Sequence, residues 1–419
     1  MHATKSPHHA RLTPRPAAAQ AHPPMHAAPV PRAHAAHPAR GAKMPRLWHF
    51  AVEYLLLLPI GAAIALIWVN TAPESYFRVT GALRFAVNDV AMALFFGLVA
   101  KEIVEATIPG GVLHPWRRAA LPFAASVGMT MVPLVLFAVL VPMFDEPRVL
   151  QGWPAVFASD VAFGYFAARV VFGRQAAVPF VVLLGVCANC LGLLALAVTG
   201  AAASLYPAVA VALMALALTL AGMLRQARIR SLWPYLAGSG GLSWCALYFG
   251  GLAPAFALLP VLPFVPHGRR DPGFFVDAPS AAPDPLSRFE RFSRHPAQIA
   301  LGLFGLVAAG VPLKALDWGT LSLPLAVLAG KPLGLVAGVG IARAFGLHLP
   351  SGIGWRELTV IGLIASVGFT VALFFASESI GPGPALSAIR MGALMSVAGV
   401  FAAIGAAALL RTGRFARAV

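Results

Sequence analysis

Two ionisable residues, Asp160 and Lys331, lie in the middle of long apolar stretches of this 419-residue chain. A charge at the depth of a lipid bilayer is expensive, so such a residue is by default a candidate for handling ions or protons. We expect the two either to interact directly or to offset the partial charges of helix ends. Asp89, Glu102 and Glu105 also fall within apolar stretches, but nearer to their ends.

The only motif with metal or redox spacing is the C-x-x-C formed by Cys187 and Cys190, and the third cysteine is Cys245. A redox pair would need an exposed, activated thiolate, and a metal site would need further ligands that are not close in sequence. We therefore expect small packed residues and no disulfide framework.

The composition favours a membrane protein over a soluble one. The chain is 59% hydrophobic and only 11% charged, whereas soluble domains carry about 25% charged residues. The formal net charge of +16 would suit nucleic acid, but its placement along the chain argues against such a partner. No nucleotide-binding loop, catalytic triad pattern or cofactor motif occurs, so we predict that the protein is not an enzyme and binds no cofactor.

Hydrophobic segments long enough to cross a bilayer of about 30 Å recur along the chain. They predict an all-α polytopic membrane protein with about twelve spans. Residues 70–87 are too polar to span, and we expect them to form an extracytoplasmic hairpin or loop. The predicted spans are 50–69, 88–108, 119–142, 154–172, 177–199, 204–223, 231–249, 252–266, 297–313, 321–344, 356–379 and 387–410.

Three regions differ in composition. Residues 1–47 are basic, rich in His, Pro and Ala, and without apolar periodicity, so we predict a disordered tail. Residues 48–413 form the predicted membrane domain, and 414–419 a short tail. Most of the 31 Lys and Arg residues fall in the segments that face the cytoplasm if the N-terminus is cytoplasmic. This bias predicts that both termini lie in the cytoplasm.

A weak internal repeat relates the fourth and eleventh predicted spans. The segments 158–164 and 365–370 are both small and glycine-bearing, and their spans would start on opposite sides of the membrane. Inverted repeats with broken helices near the midplane are typical of secondary transporters. We expect breaks near Gly164, Gly368 and Thr370, although glycines could also simply permit close helix packing.

The chain resembles the NhaA family of bacterial sodium/proton antiporters over roughly residues 50–410. The matching motifs keep the family's order, and together they are specific although each alone is weak. They are 88–96 with Glu102, 118–122, 128–133, 152–163, 289–290, 295–296, 308–311, 330–334 and 368–370.

The resemblance implies an inverted repeat with broken helices 4 and 11, in a core that alternates between inward- and outward-facing states. It implies exchange of sodium or lithium for protons across the bacterial inner membrane, serving pH and sodium homeostasis. In the family, two adjacent aspartates on the fifth helix bind cation and protons in competition. An acid on the fourth helix and a lysine on the tenth offset helix ends, which matches Asp160 and Lys331.

Other residues take expected roles by the same resemblance. Ser159, Asn189 and Cys190 fall at or beside the ion site, and Asp89 is a further intramembrane acid. Glu102 and Glu290 match positions of the cytoplasmic funnel that are linked to activation by pH. Relatives can dimerise through the hairpin after the first helix, here residues 70–87.

The sequence departs from the family at the position that matters most. Asn189 and Cys190 occupy the places of the two aspartates, and neither an amide nor a thiol is a good substitute, because sodium prefers oxygen ligands that are anionic. Ala253 replaces a histidine, and Ala106 replaces an acid whose place Glu105 could take. Three interpretations stay open: cation/proton exchange that uses Asp160, transport with altered substrate or coupling, and a non-transporting relative.

Overall fold

The structure, a computed structural model, describes residues 57–107, 116–173, 175–201, 206–266, 284–315, 317–350 and 352–416. Within these ranges the regular elements are helices and no strand occurs, which confirms the all-α prediction. The predicted N-terminal tail lies outside the described residues, as do residues 417–419 of the predicted C-terminal tail.

We number the described α-helices in chain order. They are α1 (Leu57–Thr71), α2 (Pro73–Phe85), α3 (Met92–Thr107), α4 (Trp116–Met143), α5 (Val161–Phe172), α6 (Ala177–Ala201), α7 (Pro207–Gln226), α8 (Gly241–Phe249), α9 (Pro285–Ala308), α10 (Ser322–Ala344), α11 (Trp355–Ala365), α12 (Phe369–Ser379), α13 (Pro384–Met395) and α14 (Ala398–Leu410). A 3-10 helix covers Pro147–Phe157, and π-helical turns cover Ala86–Ala91 and Pro234–Gly240.

The long apolar helices confirm a polytopic membrane protein. In the described part of the chain six helices are long and apolar enough to cross a membrane, and up to eight spans result if each bent pair counts as one. Large apolar side chains such as Val135, Val198 and Leu409 are exposed on them, as lipid contact requires. The count of twelve stays a prediction, since segment 252–266 forms only 3-10 turns, Pro254–Phe256 and Leu262–Phe264.

Two spans are interrupted, as predicted for the fourth and eleventh. The 3-10 helix Pro147–Phe157 meets α5 at 62°, and α11 meets α12 at 51°. The first break occupies residues 158–160 and therefore precedes Gly164, which lies inside α5 against Val181. The expected role of Gly164 in the break is thus wrong: its missing side chain serves helix packing. Gly368 does lie at the second break, as the residue before α12.

The prediction of a hairpin or loop over residues 70–87 is wrong. Residues 73–105 form one continuous helical span, in which α2 joins α3 through the π-helical turn. Glu74, Arg78 and Arg84 lower the local hydropathy, but charged side chains do not oppose helix formation. Tyr76 anchors α2 to the end of α9, because its hydroxyl donates to the carbonyl oxygen of Leu306 at 2.8 Å.

Helices α4 and α10 approach each other closely, and this contact fixes the place of Lys331. A Cβ on Gly330 would collide with the backbone of Pro133, and one on Gly334 would collide with Gly128. Small residues at these points let two backbones touch. The lysine that follows Gly330 is thereby held between the broken helices.

Candidate functional site

The unwound segments of the two broken spans cross each other. The backbone nitrogen of Asp160 donates to the carbonyl oxygen of Val367 at 2.7 Å. A Cβ on Gly368 would lie 3.0 Å from the carbonyl oxygen of Ala158, so a residue without a side chain permits this close approach. Four helix ends therefore meet at one point: two N-termini, of α5 and α12, and two C-termini, of the 3-10 helix and α11.

The Asp160 carboxylate accepts hydrogen bonds from both N-termini. Its Oδ1 accepts from the backbone nitrogens of Ala162 at 3.1 Å and Phe163 at 3.2 Å. Its Oδ2 accepts from the backbone nitrogen of Thr370 at 3.2 Å and from the Thr370 hydroxyl. One negative charge thus meets the partial positive charges of two helices, and only 7% of the residue is exposed.

Lys331 donates hydrogen bonds to the two C-termini, as the Asp160 carboxylate accepts them from the two N-termini. Its Nζ donates to the carbonyl oxygen of Ala158, which ends the 3-10 helix, and to that of Ala365 at 3.0 Å, which ends α11. A third bond reaches Ser159 Oγ at 2.9 Å. Lys331 is fully buried.

The hydrogen bonds of the described residues place Lys331 and Asp160 on different groups, and no ion pair between the two is found among them. The expected direct interaction is therefore not formed. The alternative expectation, that each charge offsets helix ends, agrees with the geometry. The physical reason is that the crossing places like-charged helix ends together, so each pair needs its own counter-charge.

Replacing Lys331 by methionine should lower the free energy of unfolding by about 2 kcal/mol. Two buried carbonyl groups would lose their donor, which costs roughly 1–3 kcal/mol each, while relief from burying an ammonium offsets part of the loss. Thermal unfolding in detergent measures the effect. Lys331→Arg keeps the charge and serves as the comparison; equal stability of the methionine variant and the unmodified protein would contradict the assignment.

Asn189 joins α6 to the unwound segment. Its Oδ1 accepts from the backbone nitrogen of Ser159 at 2.9 Å, and its Nδ2 donates to the carbonyl oxygen of Ser159 at 2.8 Å. A carboxylate could accept the first bond but not donate the second. Cys190 is half-buried and Cys187 buried, and both thiols are free.

A cavity of about 80 Å³ opens beside Asp160 and Asn189. Thr370 also lines it from α12, while Glu102 of α3 and Gln298 of α9 line it from the other side. The remaining lining side chains are apolar, and include Phe95, Leu98, Phe163 and Leu301. The cavity therefore links the helix crossing to the acidic end of α3.

Three carboxylates surround Lys101 at that acidic end. Lys101 Nζ lies 2.9 Å from Glu105, 2.8 Å from Glu290 and 3.7 Å from Glu102, and its side chain is fully buried. The cluster ties α3 to α9 and leaves two negative charges in excess when all groups are ionised. Glu102 and Glu290 are thus brought together by Lys101, a residue for which no role was predicted.

Cys190 faces a different cavity from Asn189. This second space, of about 610 Å³, is lined by apolar residues, Cys190 and Glu378. The neighbouring Ser377 is held by Arg84, whose Nη2 donates to its carbonyl oxygen at 3.2 Å, and by Arg390, whose Nη2 donates to its hydroxyl at 2.9 Å.

Sequence reasoning missed three polar residues near these cavities. Glu378 had a local signal, because it is the single acid in the otherwise uncharged segment 369–379. Lys101 had a local signal, because acids follow it at the next and the fourth position. Gln298 had none, since nothing in the sequence places an amide of α9 opposite Asp160. The roles of all site residues in transport stay predictions.

Comparisons with known proteins agree with the resemblance seen in the sequence. The family model described as Na+/H+ antiporter 1 matches residues 51–410. "Na(+)/H(+) antiporter NhaA 1" of Pelobacter propionicus is 35% identical over 377 residues, which cover 86% of this chain and 97% of the relative. "Na(+)/H(+) antiporter NhaA" of Desulfitobacterium hafniense is 38% identical over 372 residues, covering 84% and 94%.

A solved structure shares the fold. The sodium proton antiporter MjNhaP1 of Methanocaldococcus jannaschii superposes with a TM-score of 0.55 at 14% sequence identity, covering 86% of this chain and 92% of that one. At this identity the likeness concerns the fold alone. The family match spans most of the chain, and the curated relatives are matched over nearly their whole length, so the chain belongs to the Na+/H+ antiporter 1 family.

Proposed function

We propose that the protein exchanges sodium or lithium for protons across the bacterial inner membrane and so serves pH and sodium homeostasis. Two curated relatives that match most of the chain are named Na+/H+ antiporters. The observation that carries the proposal is the placement of Asp160: a buried carboxylate at the crossing of two broken helices, in a cavity that reaches Glu102. A family name alone would not show that an ion site survives.

The chemistry assigns the exchange to Asp160. Sodium and lithium are hard cations that prefer oxygen ligands, and the cavity offers the Asp160 carboxylate, the Thr370 hydroxyl and the amide oxygens of Asn189 and Gln298. A proton and a cation compete for the same carboxylate oxygen, so release of one accompanies uptake of the other. Asn189 takes no proton and holds the unwound chain in place.

The decisive experiment measures proton movement in everted membrane vesicles with a pH-sensitive dye. We expect sodium and lithium, but not choline, to release protons from vesicles that contain the protein. Potassium and a range of pH complete the series. No response to any cation at any pH, from correctly inserted protein, would contradict exchange and favour a non-transporting relative; a response to another ion would indicate altered substrate.

A test of the departure at position 189 is the variant Asn189→Asp. A protonated carboxyl group can make both bonds to Ser159, but a carboxylate would face the Ser159 carbonyl oxygen without a hydrogen. We expect the variant to fold at low pH, to lose thermal stability as pH rises, and to regain it when sodium is added at high pH. Stability that does not depend on pH or sodium would show that this position is unconnected to ion binding.

The finer topology is part of the proposal. The Lys and Arg bias supports cytoplasmic N- and C-termini, and the recurring hydrophobic segments support a membrane domain of residues 48–413. A homodimer through residues 70–87 would use the surface of α2, where Phe77, Val79 and Leu83 are exposed. Accessibility of single introduced cysteines to an impermeant reagent tests the orientation, and cross-linking along α2 tests the dimer.

A further inference from the structure

Gln298 is an unusual residue in the cavity beside Asp160. It lies on α9, is only 2% exposed, and its Oε1 has no hydrogen-bond partner among the described residues. A buried polar atom without a partner is costly, and an ion that completes its bonding is one explanation for such an atom. The side chain nevertheless lines the same cavity as the Asp160 carboxylate and the Thr370 hydroxyl.

We propose that Gln298 is a cation ligand, which completes from α9 an alkali-cation site whose anionic ligand is Asp160. The inference rests on the proposed exchange function and deepens it. The two ends of a carboxamide have nearly the same shape, and rotation about its last torsion exchanges them. The oxygen can therefore either stay in its present buried position, without a hydrogen-bond partner among the described residues, or turn toward a cation in the cavity.

Gln298 can provide an oxygen ligand for sodium, whereas the thiol at position 190 cannot. A thiol is a poor ligand for sodium, and Cys190 faces the other cavity. Both ends of the Asn189 amide already form hydrogen bonds with the backbone of Ser159. Among the polar residues that line the cavity, Gln298 thus supplies an oxygen that is not yet engaged by the described protein groups.

The proposed site also spans two parts of the fold. Asp160 and Thr370 belong to the crossing of the broken helices, whereas Gln298 belongs to α9, which packs on α1 and α3. A cation bound between them would draw α9 and the crossing together. Loss of the Gln298 oxygen should therefore weaken binding of the cation more than it slows the exchange of a saturated site.

The test compares Gln298→Met, which removes the oxygen with little change of volume, with Gln298→Glu, which keeps it. Ser293→Ala is the matched control, because Ser293 is a buried residue of the same helix whose hydroxyl also lacks a partner but which does not line the cavity. We expect Gln298→Met to raise the apparent KM for sodium at least about tenfold with a smaller change in kcat. Gln298→Glu should keep or raise sodium affinity, because a carboxylate also offers an oxygen, and Ser293→Ala should keep it.

A second readout separates this inference from the proposed function. Sodium should raise the thermal stability of the purified unmodified protein, because a ligand that binds the folded state stabilises it, and Gln298→Met should lose this shift. If the unmodified protein exchanges ions and the methionine variant keeps both its KM and its shift, the ligand role of Gln298 is overturned and the function stands. If sodium shifts the unmodified protein but no exchange occurs, the site stands and the function fails. No shift and no exchange overturn both.

Discussion

Replacing Asp160 by asparagine is expected to lower sodium-dependent proton release at least about tenfold relative to the unmodified protein. The asparagine oxygen can still accept from the N-terminus of α5, so the helix keeps a good cap. The amide nitrogen, however, would face the backbone nitrogen of Thr370, two donors with no acceptor between them. The anionic oxygen for which cation and proton compete would be gone.

The matched control is Asp317→Asn. Asp317 also caps a helical turn, since its Oδ1 accepts from the backbone nitrogen of Thr320 at 3.0 Å, but it is not among the residues that line the cavity. We expect this variant to exchange ions at the rate of the unmodified protein. Equal rates for both asparagine variants would remove Asp160 from the mechanism.

Replacing Lys101 by methionine should lower the free energy of unfolding by about 3–5 kcal/mol, the usual cost of removing one partner of a buried ion pair. The reason is that Glu102, Glu105 and Glu290 would then lose the buried ammonium group that lies between them. Thermal or denaturant unfolding in detergent measures the loss. The end of α3 should loosen from α9 first, because the lysine joins these two helices.

Lys314→Met is the comparison for general loss of a lysine, because Lys314 is exposed, and it should change stability little. Adding Glu105→Gln and Glu290→Gln to the Lys101 variant should recover part of its stability, because the repulsion among carboxylates would fall. If the single and triple variants have the same stability, repulsion among these carboxylates does not explain the effect of removing Lys101.

Much of the fold followed from hydrophobic length and glycine placement. The segments around Ser159 and Ser366 predicted two broken spans, because small residues and an isolated acid do not fit a continuous apolar helix. The sequence could not show that residues 70–87 continue a helix, since hydropathy reports the solvent of a segment and not its backbone conformation. The hydrogen bond from Tyr76 to α9 shows that α2 is a packed helix, but this contact is visible only in the three-dimensional structure.

The candidate site was predictable where a charge stood alone in apolar sequence, as Asp160 and Lys331 do. Their partners were not, because which helix end each meets depends on how the two breaks cross. Neither was the separation of Asn189 from Cys190 into different cavities. Neighbouring residues on a helix point about 100° apart, and only the packing of helices such as α4, α5 and α12 against α6 decides what each one faces.

The shared use of Asp160 by α5 and α12 also bears on how the protein can move. Hydrogen bonds from both half-helices end on one carboxylate, and Lys331 ties their opposite halves in the same way. Pulling the two broken spans apart would leave four helix termini without the counter-charges that now bind them. The crossing must therefore travel as one rigid body, and the sliding surface of any transport cycle has to lie where it meets helices such as α3 and α9.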